Sequence, residues 1–360
     1  MRRSKKIATD ENGTSISSVA KRYSKALEDI PTAAVLGEGD EAGVVPFGLP
    51  VVDWGVLGIG GLPFNRAVEV YGGEGSGKTR LCIRLMSRFL KLFPEEEGLW
   101  VDSEGSHVIE WFQKGGVDLK RMRLAFGMGF GESYIKTVYA ALASGIRCII
   151  IDSVASLFPR EVGETDNTNP NMREKLLQAG LVSNFLGELE AGNPKAGRPP
   201  LSKSNAMIIF INHVRPAMKE NTYYEESKGA QRLKHVCRIR LNVERRRLIR
   251  YGEDGKEAKE GAFTPSYKPA ADEGTFRLMC MKNQHAPPMG SSMVHIGLKS
   301  GRMWDDPESV LRYGELLGRI TVGGSWITWK DKRWQGIDAF REYIMEKPSI
   351  VKLICAPQEL

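Results

Sequence analysis

Residues Gly72-Gly73-Glu74-Gly75-Ser76-Gly77-Lys78-Thr79 decide how the rest of this chain is read. They fit the pattern G-x-x-x-x-G-K-[ST], a loop that wraps the phosphates of a nucleotide. Glycines let successive backbone N–H groups turn inward and form a concave anion site. Lys78 supplies a point charge for the β- and γ-phosphates, and Thr79 a hydroxyl for Mg²⁺. The flanks agree. Residues 67–71 (AVEVY) have the composition of a short strand, and Leu81, Ile83, Leu85, Met86 and Leu90 make one apolar helical face behind the loop. Bound phosphates would then sit on a helix N-terminus.

Around that loop, 360 residues with 41% hydrophobic content allow two or three domains and a large core. No run approaches the ~18 apolar residues of a membrane span. Arg2, Arg3, Lys5 and Lys6 are not followed by the apolar stretch of a secretory signal. The five cysteines are dispersed and odd in number, which reads as reduced cytosolic thiols. A net charge of +7 suits a polyanionic partner.

Residues 1–14 are polar. Ile16, Val19, Ala20, Tyr23, Ala26 and Leu27 then follow helical spacing, with Ser15 as cap and Pro31 as stop. A short strand at 33–36 follows. This pair is too small for its own core, so it packs on its own subunit or adds to a neighbour's sheet edge.

Residues 99–104 (LWVDSE) read as a strand ending in carboxylates. Chemistry in open α/β sheets lies beyond such strand ends, so Glu104 is either a base that orients water or an ordinary solvated carboxylate. Residues 148–152 (CIIID) are continuous and apolar, as in a strand buried on both faces. Asp152 at its end is suited to Mg²⁺, the alternative being a helix cap with Ser153. Residues 206–211 repeat the pattern and end in Asn212-His213.

Between these strands, 158–171 reads as a polar loop with Arg160, about 172–190 as a helix, and 192–205 as a surface loop. Residues 214–228 read as a polar loop in which Arg215, Lys219 and Lys228 are interleaved with Tyr223 and Tyr224. That mixture fits nucleic-acid backbone contact with base stacking, or simply a surface loop. Residues 236–243 and 275–281 alternate like an antiparallel extension, joined by a charged 251–274 connection. From Met303 the pattern becomes a small α/β module: a helix near Val310–Leu317, strands at 326–329 and Trp334, and a helix at 339–345. Lys330, Lys332 and Arg333 form an exposed basic cluster there, of the kind usual in a solvated turn.

In this order, the segments GGLPFNRAVEVYGGEGSGKT, WVDSEG, IIIDSVASLFPREVGE, IIFINHVRPAM, KGAQRLKHVCRIRL, CMKNQHAPP and GSWITWKDKRWQGIDAFREYI resemble the RecA recombinase family, including its phage UvsX-type members. The resemblance runs from about residue 16 to 354. It implies an α/β fold: a RecA-type P-loop NTPase core with a mainly parallel central sheet at 43–302, an N-terminal helix-strand oligomerisation segment at 1–42, and a small C-terminal DNA-binding α/β domain at 303–360. It also implies an ATP-gated, Mg²⁺-dependent helical filament on single-stranded DNA that exchanges strands with a homologous duplex in the bacterial or phage-infected cytoplasm. An ssDNA-binding protein or loading mediator is a further implied partner.

By the same resemblance, Lys78 and Thr79 serve the phosphates and magnesium, Glu104 orients water, Asp152 supports Mg²⁺, and Asn212 and His213 sense the γ-phosphate. Lys282 reaches a neighbour's nucleotide. Arg160, Arg215, Lys219, Tyr223, Tyr224, Lys228 and Arg232 serve single-stranded DNA, and Lys330, Lys332 and Arg333 the duplex. Two positions depart from the family: His213 stands where bacterial RecA has glutamine, and Gln284 replaces the second bridging lysine. No acidic tail follows the last helix, and the loops 192–205 and 252–274 are long. The rival readings are a RecA-fold hexameric helicase and an ATP-regulated ssDNA coat or mediator without exchange activity.

Overall fold

The continuous apolar runs become neighbouring parallel strands. The computed structural model describes residues 43–163, 172–219, 222–227, 231–251, 257–258 and 270–357. The expected helix and strand of 16–36, Lys228 and most of the 252–274 connection lie outside them. Residues from Gly43 onward form one compact unit.

In chain order the main elements are β1 (Arg66–Gly72), α1 (Lys78–Leu92), β2 (Gly98–Asp102), β3 (Met122–Phe126), α2 (Gly131–Ala143), β4 (Cys148–Asp152), α3 (Met172–Ala191), β5 (Met207–Lys219), β6 (Thr222–Ser227), α4 (Gln231–Val236), β7 (Cys237–Ile249), β8 (Glu273–Asn283), β9 (Ser291–Gly297) and β10 (Met303–Asp305). Among the described residues these ten strands make one sheet, ordered β10-β9-β8-β7-β1-β5-β4-β2-β3, with β6 against β5. The strands from β7 to β3 in that order run parallel. β8, β9, β10 and β6 are added antiparallel. Ile149, Ile150 and Ile151 of β4 and Ile208, Ile209 and Ile211 of β5 are at most 1% exposed, so both sheet faces are covered. α1 contributes Leu81, Leu85, Met86 and Phe89 to one side. α2 and α3 bring Tyr134, Val138, Phe185 and Leu189 to a cluster with Ile149, Ile151 and Phe210.

Two readings of the sequence change. The stretch from Val214 is not a plain loop: β5 continues to Lys219 and folds back as β6, with Val214 opposite Ser227 and Lys219 opposite Thr222. Beyond His213, β5 pairs among the described residues with β6 alone, an edge position that tolerates Pro216. β7 and β8 are antiparallel, as the alternation implies, but β7 also joins β1 in parallel and so belongs to the central sheet.

The last segment comprises α5 (Pro307–Leu316), β11 (Thr321–Gly323), β12 (Trp326–Trp329), β13 (Lys332–Gln335), α6 (Gly336–Glu346) and α7 (Ser349–Cys355). Val310, Ile327, Phe340 and Ile354 fill its centre, joined by Val51 from a π-helical turn at Val51–Val56. Polar groups hold that junction. Asp53 accepts the N–H groups of Phe47, Gly48 and Leu49 at 2.8, 3.0 and 3.1 Å. Asp305 accepts that of Val51 at 3.3 Å. Arg84 of α1 donates to the carbonyls of Phe47, Gly48 and Met303 at 2.6, 2.7 and 3.2 Å.

His295 on β9 couples two further elements. Its Nδ1 meets Glu273 of β8, its Nε2 meets Asp306 at 2.8 Å, and its ring stacks on Trp304. Asp306 in turn caps α5 by accepting the N–H of Ser309 at 3.0 Å. Burial pushes the imidazolium down, but its hydrogen bonds to Asp306 and Glu273, which accept, outweigh it and raise the pKa from near 6.5 to about 9. The folded state thus holds this proton more tightly than the unfolded chain. The stabilisation is complete below pH ~6.5 and is lost as pH rises through about 9. The expected outcome in urea melts is that wild type exceeds His295→Gln by a margin that shrinks by up to about 3 kcal/mol between pH 6.5 and 9.5. A margin constant across that range contradicts the assignment.

Candidate functional site

The phosphate-loop sequence closes β1 and opens α1. Gly72 lies so close to β7 that a Cβ there would stand 2.1 Å from the Val243 carbonyl oxygen. Gly77, with φ of 89°, occupies the position before the first residue of α1 in a left-handed conformation. Lys78 begins the helix and bends back, its Nζ donating to the carbonyls of Gly72 and Gly73 at 3.0 and 2.8 Å. Burial lowers the pKa of its ammonium, against the raising effect of Asp152 and Glu104. Ser76 is 3% exposed, and its Oγ has no hydrogen-bond partner. An inward-turned loop with an orphan hydroxyl and an adjacent ammonium fits an anion of phosphate size.

Strand register brings the other groups to the same end of the sheet. Asp102 pairs with Asp152, Asp152 with Ile211, Tyr71 with Asn212, and Gly72 with His213. Thr79 Oγ1 donates to Asp152 Oδ2 at 3.1 Å. Among the described residues no group of three or more His, Cys, Asp or Glu side chains is arranged for a metal. One carboxylate and one hydroxyl beside a phosphate site are, however, a suitable set for Mg²⁺, which keeps water and phosphate oxygens as its remaining ligands.

The loop after β2 is built on Asp102, which is 1% exposed. Its Oδ1 accepts the N–H groups of Glu104, Gly105 and Ser106 at 3.2, 2.9 and 3.2 Å. Its Oδ2 accepts the backbone N–H of His107 at 3.0 Å and lies 2.6 Å from that residue's Nδ1. Glu104 is thereby aimed across the strand ends. Its Oε1 lies 3.0 Å from His213 Nε2 and accepts the hydroxyls of Ser153 at 2.5 Å and Ser156 at 3.1 Å. The hydrogen bond from His213 leads in holding this carboxyl at about 2, against burial and with help from Ser153 and Ser156. Burial and then the Glu104 charge push Asp152 the other way, to about 6.

Other expected site residues are placed differently. Asn212 is fully buried, its amide donating to Glu69 Oε1 at 2.9 Å and its carbonyl accepting the His213 N–H at 2.9 Å. Lys282 donates to the carbonyls of Lys234 and His235 at 2.8 and 3.0 Å. It pairs in register with Arg240 near the amino end of β7, away from the phosphate loop of its own chain. Gln284 accepts from Arg238 at 2.9 Å.

Among the expected DNA residues, Arg160 lies over the Phe130 ring and Arg232 stands 3.7 Å from Glu190. Arg215 is exposed at the base of the hairpin, and Lys219, Tyr223 and Tyr224 fall on its two strands. Lys330, Lys332 and Arg333 lie over the rings of Trp329, Tyr343 and Trp326. The sequence assigns no site role to Asp102, Ser156 or Arg245, whose guanidinium would stand 3.0 Å from a Cβ on Gly75, and offers Ser153 only as a helix cap. Asp102 alone carried a signal, as a carboxylate at a strand end.

Comparison with known proteins places the chain. The model of the RecA N-terminal domain matches residues 16–298. Protein RecA of Bordetella petrii is 30% identical over 303 residues, covering 82% of this chain and 74% of that one. Protein RecA of Bordetella pertussis is 30% identical over 299 residues, covering 81% and 74%. No helix among the described residues is long and apolar enough to cross a membrane.

Because Asp152 and Glu104 repel across the strand ends, their titrations are linked. Carbon-13 titration of the side-chain carboxyls is expected to find Asp152 near pH 6 and Glu104 near 2. Glu104→Gln removes one raising charge, so the Asp152 midpoint moves to lower pH. A midpoint unchanged in that variant contradicts the proximity.

Proposed function

The chain belongs to the RecA family, and from that membership we propose that it is a DNA-dependent ATPase that forms a helical filament on single-stranded DNA and exchanges strands with a homologous duplex. In this reading 1–42 serves polymerisation, 43–302 is the ATPase core with its DNA-binding segments, and 303–360 binds duplex. It acts in the cytoplasm, with an ssDNA-binding protein or loading mediator as a further partner. One observation carries the reading. His213 leads directly into the β5–β6 hairpin and its ring touches Glu104, so the hydrolytic site and the expected DNA segment share one side chain.

ATP held at 72–79 supplies the phosphoanhydride bond, with Mg²⁺ balancing its charge. Lys78 is already at the loop and needs only to turn its Nζ from the Gly72 and Gly73 carbonyls towards phosphate oxygens. Thr79 and Asp152, 3.1 Å apart, would hold the ion. Glu104, ionised throughout the neutral range, accepts hydrogen bonds from a water and aims it. Its role is orientation of that water. His213 has two places to bond, Glu104 or the γ-phosphate, and a contact that differs between nucleotide states is what a switch requires. Lys282 serves the neighbouring protomer's nucleotide.

A strand-exchange assay with circular single-stranded and homologous linear duplex DNA tests the function, with joint molecules expected only with ATP. ATP-dependent ssDNA coating without joint molecules would leave the coat or mediator reading. Closed rings that unwind duplex would leave the helicase.

Lys78→Ala is expected to abolish hydrolysis and weaken nucleotide binding. His213→Ala is expected to keep its fold and ATP affinity but lose the mutual enhancement of ATP and ssDNA binding, in both directions. Titrating ATP with and without ssDNA decides it: an affinity ratio equal to wild type removes His213 from the coupling.

The hairpin gives a separate expectation. Removing Arg215 and Lys228 should lower the log–log salt slope of ssDNA binding by about 0.7 per lost phosphate contact. Tyr223→Ala or Tyr224→Ala should instead lower affinity by about 1–3 kcal/mol with the slope unchanged. Anisotropy titrations over a salt series separate the two, and a slope that ignores the charge variants takes this hairpin off the DNA backbone.

A further inference from the structure

Glu69 stands in the middle of β1, fully buried between β5 and β7. A buried ion pair is no stronger for stability than an apolar group of the same shape, so its presence calls for another reason. Its partners supply one. Oε1 accepts the Asn212 amide at 2.9 Å, and Oε2 accepts Arg240 Nε at 2.5 Å. Arg240, whose guanidinium lies 4.8 Å from the Tyr71 ring centre, spans onward. Its Nη2 donates to Ser227 Oγ at 2.8 Å.

Ser227 is 2% exposed and ends β6, the return strand of the hairpin. At the other end, Asn212 accepts the His213 N–H at 2.9 Å, and the His213 ring meets Glu104. A continuous hydrogen-bonded path therefore runs from the hairpin's return strand, through the strand that carries the phosphate loop, to the carboxylate at the hydrolytic position. β5 joins hairpin and His213 through the outgoing strand. The Ser227 path joins them through the returning one, so the hairpin is gripped at both legs.

We propose that Arg240 is a positioning residue that transmits the state of the β5–β6 hairpin to the His213–Glu104 contact through Glu69 and Asn212. This rests on the reading of the hairpin as a DNA segment and of Glu104 as the hydrolytic carboxylate. Arg240 touches no nucleotide in this scheme; it fixes where the return strand stands relative to β1. Displacement of Ser227 by DNA on the hairpin changes the pull on Arg240, hence the Glu69–Asn212 bond and the backbone at His213.

Ser227→Ala tests this with little threat to folding, since only a hydroxyl is removed. ATP hydrolysis is measured without DNA and at saturating single-stranded DNA, saturation being set by anisotropy for each variant. The expected result is a DNA-free rate within about twofold of wild type and a stimulation by DNA lower by about tenfold, within the usual range of coupling energies. Ser227→Thr, which keeps the hydroxyl, recovers the stimulation. A stimulation ratio equal to wild type in Ser227→Ala overturns the relay. So does an equal loss of DNA-free and DNA-stimulated rates, which marks the bond as merely structural. A wild-type protein whose hydrolysis DNA does not raise overturns the functional reading itself, an outcome seen in the wild type alone and so distinct from failure of the relay.

Discussion

Strand register is the constraint on which the rest of this structure depends. Hydrogen bonds between β2, β4, β5 and β1 put Asp102, Asp152, His213 and Gly72 at one sheet end without any contact among those side chains being needed first. A slip of one residue in β2 or β4 would turn its terminal carboxylate, Asp102 or Asp152, to the opposite face. The apolar runs resist that slip, because moving them would not preserve the packing of β4 and β5 against the helices on both faces. The core thus holds the site in place, and the loops that complete it begin from fixed points.

Electrostatics sorts the carboxylates that register gathers. Asp102 has its oxygens committed to four backbone N–H groups and an imidazole, so its charge serves the shape of the 103–107 loop. Glu104 is surrounded by donors and stays ionised; Asp152 is buried beside it and is pushed upward. Lys78 is the nearby cation answering both. Glu104 and Asp152 therefore shift in opposite directions, and the difference comes from donors and burial.

How much of this was legible in the sequence depends on the range of each interaction. GGEGSGKT and CIIID could be read because their information is local: glycines for a tight turn, continuous β-branched residues for a strand covered on both faces. The β5–β6 hairpin could not, because Val214 to Ser227 is polar on average and its pairing is set by cross-strand register, with Pro216 suggesting a break. β7 alternates like an antiparallel strand, yet lies parallel to β1, since a strand at the junction of two pairing modes carries the pattern of only one. Of the site residues, Glu104 and Asp152 were visible as strand-end acids. Ser153 and Ser156 were not, since an unexceptional serine becomes a donor to Glu104 only through the chain's turn after β4. Asn212 was visible, but its burial against Glu69, 143 positions away in sequence, was not.

The contact at Gly72 reaches beyond the phosphate loop. The atom that forbids a side chain there is the carbonyl oxygen of Val243, a backbone atom on a different strand. Substitution at Val243 leaves that oxygen where it is, so the demand for glycine is indifferent to which residue β7 carries. For anyone diversifying this chain, the demand at Gly72 is set by the path of β7 and not by the side chain at Val243. A deletion or bulge there would fall on a loop more than a hundred and sixty positions earlier, and the damage would be misread as a defect of nucleotide chemistry.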